Sequence, residues 1–338
     1  MAKVAINGFG RIGRLFFRQA FGEEDIDIVA INDLGNVENL AYLLRYDSVY
    51  NTYDKEVKVK GNSLIIGGKT IPVTHIKDPQ ELPWKKAKVD IVVEATGVFN
   101  SYEKARAHID AGAKKVVITA PAKDGDGKDA ATVLVGVNEG KLESLVMSSN
   151  ASCTTNAASP VIAILEEELG IEKAMLSTVH GYTASQSLVD GPTRSNDFRR
   201  GRAAASNIVP SSTGAATAVA KAIEEMKDKF DGIAFRVPVI AGSVADITLV
   251  SKKKTNVKEV NDILTKASKS SRWKGIMKVT NEPLVSSDII GEPYGAIVDT
   301  SFTRVVGGDL IKVLSWYDNE FGYVSTLVRH VKNVSVLV

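Results

Sequence analysis

The stretch "KVAINGFGRIGRLFF" (3–17) constrains this chain more than any other. An apolar run ends at Asn7, and glycines follow at positions 8, 10 and 13. Apolar residues then recur at helical spacing, at Ile12, Leu15, Phe16 and Ala20. The pattern predicts a strand, a tight turn and a helix. Each glycine has its own task in such a unit. One permits the turn, one lets backbone approach a pyrophosphate, and one allows close helix–strand packing, while the helix N-terminus offers N–H groups to the anion. Twenty residues after Gly13, the apolar run "DIVAIND" (27–33) ends on Asp33, where a carboxylate binds ribose hydroxyls. Gly8, Gly10, Gly13 and Asp33 together predict a dinucleotide site. The carboxylate accepts a hydrogen bond from the 2′-hydroxyl of NAD and repels the extra phosphate of NADP, which favours NAD. Gly35 and Asn36 leave space beside it, so NADP use stays open.

Further apolar runs at 89–97, 113–121, 131–136 and 144–150, with a helix predicted over 101–112, extend the alternation of strands and helices. Val/Ile-rich strands in that alternation imply a parallel sheet covered on both faces. From residue 151 the texture changes. A helix-like segment (160–170) precedes longer alternating strands at 173–183, 233–250, 295–308 and 310–319, which suits a largely antiparallel sheet. The boundary is placed near 150. The segment 320–334 carries Tyr323, Leu327, Val328 and Val331 at helical spacing and reads as a terminal helix that packs back on the first domain.

With 338 residues, 44% of them hydrophobic, the chain suggests two domains with ample core. Forty-two Lys+Arg against 40 Asp+Glu give a net charge of +2, no electrostatic case for nucleic acid as the primary partner. The N-terminus lacks a continuous apolar signal region, and no run approaches the ~20 apolar residues of a membrane span. With one cysteine and no export signal, the cytoplasm is the expected compartment.

That single cysteine, Cys153 in "SCTTN" (152–156), cannot serve a disulfide framework. A lone cysteine is most often a small buried hydrophobe, but this one sits at a predicted helix entry capped by Ser152, where a thiolate forms more readily. Pro160 predicts a kink or a delayed start of that helix. His180, 27 residues on in "STVHGYT", reads either as a hydrogen-bonded structural residue or as an imidazole brought to the thiol. Combined with a dinucleotide site, a single Cys and a candidate His suit attack on an aldehyde followed by hydride transfer to NAD. Ser152, Thr154, Thr183 and Thr213, with the arginines of "FRRGR" (198–202) and "AFRVP" (234–238), suit phosphate oxygens. No second cysteine or H-x₃₋₅-H spacing supports a metal.

The segments "KVAINGFGRIGR", "EATGVF", "AGAKKVVITAPAK", "SNASCTTNA", "TVHGYTASQ", "IVPSSTGAA", "AFRVP" and "SWYDNEFGY" span essentially the whole chain. Through them it resembles the phosphorylating glyceraldehyde-3-phosphate dehydrogenase family. The resemblance implies an α/β chain, with a Rossmann-type doubly wound parallel sheet (1–150, with a C-terminal helix at 320–338) and an α+β catalytic domain with a largely antiparallel sheet (151–319). It implies oxidation of glyceraldehyde 3-phosphate, with NAD and inorganic phosphate, to 1,3-bisphosphoglycerate through a cysteine thioester, in glycolysis or gluconeogenesis. Cys153 would be the nucleophile and His180 the base. Thr183, Arg200 and Arg236 would hold the substrate phosphate, and Ser152, Thr154, Thr213 and Gly214 the inorganic phosphate. Arg11 and Ile12 would meet the cofactor pyrophosphate through the loop backbone, Thr119 would lie by the cofactor, and Asn319 would hold the nicotinamide carboxamide. Lys77 stands where the family often carries an arginine beside the adenosine. The loop 184–204 would reach toward a neighbour's cofactor site in a homotetramer.

Two segments, "DSVYNTYDK" (47–55) and "VPVIAGSVADITLV" (237–250), depart from the family pattern. An erythrose-4-phosphate dehydrogenase shares "SCTTN" and the glycine loop, but "HGYTASQ" with Thr183 favours the triose substrate. A non-catalytic redox sensor would keep the thiol without need of His180, Thr183, Arg236 and Asn319.

Overall fold

The computed structural model describes residues 1–193 and 196–338; Arg194 and Ser195, inside the loop 184–204, lie outside the described residues. The chain divides into two compact units, Met1–Ala151 with Val324–Val338, and Ser152–Tyr323.

In the first unit, nine strands form one sheet among the described residues: β1 (Ala2–Asn7), β2 (Ile26–Asn32), β3 (Val57–Val59), β4 (Ser63–Ile66), β5 (Lys69–Thr74), β6 (Ile91–Glu94), β7 (Lys115–Ile118), β8 (Ala130–Thr132) and β9 (Met147–Ser149), in the order β3-β4-β5-β2-β1-β6-β7-β9-β8. From β5 to β8 neighbours run parallel. All four residues of β6 are buried, as expected for a strand covered on both faces. Helix α1 (Arg11–Ala20) buries Leu15, Phe16, Phe17 and Ala20. At the other edge β3, β4 and β5 form an antiparallel meander that the sequence reading did not anticipate.

Two local expectations are corrected here. The helix expected over 101–112 is two single-turn helices, Tyr102–Ala105 and Ala107–Asp110, interrupted at Arg106. The run 131–136 is a strand only to Thr132. Beyond it the Asn138 side chain donates to the Thr132 carbonyl and accepts from Leu134 N–H, which takes those backbone groups out of the ladder.

In the second unit, β10 (Ile171–Gly181), β11 (Val209–Ser212), β12 (Phe230–Val237), β13 (Ser243–Ser251), β14 (Met277–Thr280), β15 (Ala296–Val306) and β16 (Leu310–Tyr317) form a sheet in the order β11-β12-β10-β13-β16-β15-β14. Four of its pairings are antiparallel; β10–β12 and β14–β15 are parallel. The helix Cys153–Leu169 packs on β13, β15 and β16 and buries Thr154 to Leu165 without a break. It starts at Cys153 despite Pro160. The Ser152 side chain accepts from Thr155 N–H and caps the first turn. Burial of nearly every side of the helix offsets the ~3 kcal/mol a proline costs in a helix interior.

Candidate active site

The dinucleotide candidates lie at the C-terminal ends of β1, β2, β6 and β7. Gly8 has φ +94°, and a Cβ there would sit 2.6 Å from Thr96 N; a Cβ on Gly13 would sit 2.0 Å from the Gly8 carbonyl oxygen. The first cannot turn with a side chain, and the second lets α1 close onto the loop. Gly10 is the N-cap of α1 and brings no side-chain acceptor to the helix end, with Arg11 and Ile12 in the first turn. Around this end lies a cleft of about 770 Å³, lined by Gly8, Gly10, Asp33, Lys77, Thr96 and Val98 among others. Its shape, glycine floor and uncapped helix end fit a dinucleotide.

Asp33 does more than the sequence reading assigned to it. Its Oδ2 accepts from Phe9 N–H at 2.6 Å and its Oδ1 from Gly35 N–H at 2.8 Å, so it holds the glycine loop as well as facing the cleft. A carboxylate has about four acceptor positions; one holds the loop through Phe9 N–H and one closes the turn at Gly35. The Arg11 side chain is engaged by Asp47 and stacks over the Tyr50 ring at 5.6 Å, which leaves its backbone as the part at the helix end. Lys77 is exposed at the cleft, and Thr119 follows β7 with its N–H on the Glu94 carbonyl. Glu94, not singled out in the sequence, is buried below the loop, where it accepts from Asn7, Thr96 and His108. The only sequence signal was an acid ending an otherwise apolar run.

In the second unit, Cys153 is the first residue of its helix and His180 the penultimate residue of β10. Their meeting is direct: Sγ to Nε2 is 3.3 Å. On the other side of the ring, Nδ1 lies 2.7 Å from the Gly181 carbonyl oxygen and 2.6 Å from Arg236 Nη1. Arg236 reaches this position because β10 and β12 run parallel with His180 beside Arg236. Tyr317, also missed in the sequence, is fully buried with its hydroxyl 2.8 Å from Thr154 Oγ1 and 2.7 Å from Thr178 Oγ1, its ring edge-on to His180. Thr154's hydroxyl is therefore turned inward, leaving its backbone N–H at the helix start.

The other phosphate candidates fall into two groups. Arg200 donates to Ser211 Oγ at 3.0 Å and to Ser185 Oγ at 3.3 Å, and Ser185 bonds Thr183 Oγ1 at 2.9 Å. Ser211 is two residues from Val209, the β11 partner of Arg236, so Arg200 is fastened on the face that carries Arg236. Arg199 and Arg202 instead pair with Asp197 and Asp190. Thr213 accepts from Ala215 N–H, and Gly214 caps the helix Ala215–Ala222 without a side chain, a second helix start open to an anion. Asn319 is buried, its Oδ1 accepting from Ser243 Oγ at 2.9 Å.

Loss of solvent pushes the Cys153 thiol up, against the pull of Arg236 and Thr154. Burial and then the Arg236 charge push the His180 imidazole down to about 3, against the Gly181 carbonyl. Burial and the Arg236 charge thus oppose each other at the thiol and act together at the imidazole.

Residues 2–102 match the family model for the glyceraldehyde 3-phosphate dehydrogenase NAD-binding domain, and residues 152–319 the model for the C-terminal domain. The chain is 50% identical over 331 residues to glyceraldehyde-3-phosphate dehydrogenase of Thermotoga maritima, covering 97% of each. It is 46% identical over 334 residues to glyceraldehyde-3-phosphate dehydrogenase 2 of Bacillus subtilis, covering 97% of this chain and 96% of the relative. With glyceraldehyde-3-phosphate dehydrogenase 1 of Kluyveromyces lactis it shares 46% identity over 336 residues, 99% of this chain and 100% of the relative.

Proposed function

The chain belongs to the glyceraldehyde-3-phosphate dehydrogenase family, and from that premise we propose how its own residues carry the reaction. It is an NAD-dependent enzyme that oxidises glyceraldehyde 3-phosphate with inorganic phosphate to 1,3-bisphosphoglycerate. The observation that carries the residue assignment is the 3.3 Å contact between Cys153 Sγ and His180 Nε2.

Cys153 attacks the aldehyde carbon as its thiol proton passes to His180 Nε2 and from there to the former carbonyl oxygen, giving a thiohemiacetal on sulfur and a ring free to accept again. His180 then takes the hydroxyl proton as the hydride leaves that carbon. NAD, when bound, supplies the hydride acceptor. The resulting thioester on Cys153 is cleaved by a phosphate oxygen, which forms the acyl phosphate and returns the sulfur. Arg236, Arg200 and Thr183 hold the substrate phosphate, and Ser152, Thr154, Thr213 and Gly214 receive the inorganic phosphate, using helix-end amides where the Thr154 hydroxyl is engaged. Gly8, Gly10, Arg11, Ile12 and Gly13 cradle the pyrophosphate, Asp33 takes the ribose, Lys77 and Thr119 flank the cofactor, and Asn319, fixed by Ser243, binds the carboxamide.

Residues 1–150 with 320–338 serve as the dinucleotide-binding domain and 151–319 as the catalytic domain, a reading supported by the division at Ala151/Ser152. The enzyme works as a homotetramer in the cytoplasm. Among the described residues no helix is long and apolar enough to cross a membrane. A steady-state assay with NAD or NADP, with and without phosphate, tests the function. Turnover that needs no phosphate would refute the acyl-phosphate step.

A further inference from the structure

Thr74, Asn32, Asn7 and Glu94 are the last residues of β5, β2, β1 and β6, which lie side by side in that order. Their side chains form one ladder across the strand ends. Thr74 Oγ1 donates to Asn32 Oδ1 at 2.8 Å, Asn32 Nδ2 to Asn7 Oδ1 at 2.8 Å, and Asn7 Nδ2 to Glu94 Oε2 at 2.6 Å. Beyond Glu94 the bonds continue to His108 Nε2 at 3.0 Å, and from His108 Nδ1 to Trp84 Nε1 at 3.1 Å. Asn7, Asn32, Glu94, His108 and Trp84 are all buried.

The direction of these bonds is fixed from both ends. Asn32 also donates to the Ile76 carbonyl and accepts from Ile76 N–H, so its amide can stand only one way round. Asn7 must then turn its oxygen to Asn32 and its NH2 to Glu94. At the far end, an indole N–H only donates. Trp84 therefore leaves His108 Nδ1 bare and the ring proton on Nε2, which makes the contact with Glu94 an N–H to carboxylate bond rather than an ion pair. Asn7 Nδ2 and His108 Nε2, 3.4 Å apart, converge on the same oxygen. The other oxygen, Oε1, accepts from Thr96 N–H at 2.8 Å and from the Thr96 hydroxyl, which itself takes Val98 N–H. Among the described residues, Glu94 thus meets four donors and no acceptor. An amide of the same shape would set its NH2 against two of them.

The residues that follow the ladder are walls of the dinucleotide cleft: Gly8 follows Asn7, Asp33 follows Asn32, and Ala95 and Thr96 follow Glu94. The clearance between these walls is small, because a Cβ on Gly8 would sit 2.6 Å from Thr96 N and 2.7 Å from the Ala95 carbonyl carbon. We propose that Glu94 is a positioning residue for the cofactor. By gathering donors from the ladder, from His108 and from Thr96, it fixes the spacing of the glycine loop and the 95–98 loop before the dinucleotide arrives. Walls set in advance need no ordering on binding, so the ladder contributes to affinity for NAD rather than to the chemical steps. The inference rests on the reading of this cleft as the NAD site.

Titration of nucleotide-free protein with NAD, followed by protein fluorescence, tests it. Glu94→Gln leaves two buried donors facing an NH2 and should raise the Kd for NAD at least about tenfold. In turnover the loss should fall on KM for NAD, with kcat at saturating NAD and KM for glyceraldehyde 3-phosphate within about twofold of wild type. A general loosening of the fold would not give that split. The ladder also predicts its own rescue. In Asn7→Asp/Glu94→Gln the carboxylate moved to position 7 accepts from Asn32, from the new amide and from His108 Nε2, so the donors are again met. Its Kd should return to within about threefold of wild type. Should Glu94→Gln not fold, Glu94→Asp keeps the charge but shortens the reach by a methylene, and it should raise the Kd at least about threefold with the same split. An unchanged Kd in the folded single variant, a kcat that falls as far as KM for NAD rises, or a folded double variant that binds no better than Glu94→Gln overturns the proposal. A wild type that binds no NAD overturns the reading of the cleft and the proposal with it, whereas wild-type binding that Glu94→Gln leaves intact removes the proposal alone.

Discussion

The half-buried Cys153 thiol lies 3.3 Å from the His180 imidazole, and removing either side should have different consequences. Cys153→Ser removes the only atom that can form the thioester. Turnover should vanish while NAD binding, followed by protein fluorescence, persists; more than a few per cent of wild-type activity would sink the nucleophile. His180→Asn keeps the thiol and removes its acceptor, and kcat/KM should fall about 10²–10⁴-fold. The pH profile of Cys153 alkylation should move upward in that variant, and an unchanged profile would contradict the pairing. Asp33 needs a gentler change than truncation. Alanine would strip the acceptor from both Phe9 N–H and Gly35 N–H and so loosen the glycine loop itself. Asp33→Asn keeps an oxygen for one of them and removes the charge. The wild type should prefer NAD by at least about tenfold in kcat/KM, the equivalent of ~1.4 kcal/mol, and Asp33→Asn should narrow the ratio chiefly by admitting NADP, with exposed Lys77 at the cleft to receive the phosphate. Equal use of both cofactors by the wild type would show that Lys77 and the Gly35–Asn36 turn outweigh the carboxylate.

At the scale of elements, helix Phe321–Ser335 carries His330, fully buried, with Nε2 2.8 Å from Ser148 Oγ and Nδ1 3.1 Å from Asn150 Oδ1. Burial lowers it to about 4. The folded value lies below the unfolded one, so the unfolded chain binds a proton first, and stability present above about pH 6.5 is lost as pH falls toward 4. Between pH 7 and 5 this one ring should remove about 2 kcal/mol, by ~1.4 kcal/mol per pH unit below the unfolded value. His330→Gln should flatten the fall of the denaturant midpoint over that interval, and a slope equal to the wild type's would refute the assignment. What could be read from the sequence follows the same physics. Strands β1, β2, β6 and β7 were legible because parallel strands covered on both faces are largely continuous apolar runs, and the glycine loop because each glycine answers a steric demand. The β3–β5 meander was not, since its strands are only three to six residues long and Lys58 and Lys69 break up their apolar content. The helix start at Cys153 was read through Ser152, whereas the tolerance of Pro160 depends on burial by β13, β15 and β16, which no local pattern carries. In the site, Cys153 and His180 stood out by rarity. Tyr317, Ser211, Ser243 and the Gly181 carbonyl did not, because their roles arise only when distant strands come into register.

For the whole molecule, the question the single chain leaves is what covers its apolar exposure. Leu188, Val189 and Phe198, in the loop 184–204, and Ile208 just after it are 81%, 72%, 82% and 70% exposed. Large apolar side chains grouped along one segment mark an interaction surface more often than a solvated one. The loop is also pinned rather than loose at its described ends: Arg202 bonds Asp190, Gly191 N–H bonds the Gly201 carbonyl, and a Cβ on Gly201 would sit 2.3 Å from the Gly191 carbonyl oxygen. A pinned apolar segment presents a formed face at small further ordering cost, which suits a partner of the same kind. Together with the family's implied assembly this predicts a homotetramer, so light scattering should give a mass near four times 36.3 kDa. Phe198→Asp places a charge where the partner would desolvate it. It should lower the mass toward smaller species without lowering the unfolding midpoint measured at protein concentrations where the variant is fully dissociated, since Phe198 contributes nothing to the core of its own chain. A wild type of 36.3 kDa in solution would refute the tetramer. A variant that keeps the full tetrameric mass would instead place the interface elsewhere and leave the exposure of this loop to be accounted for by a different partner.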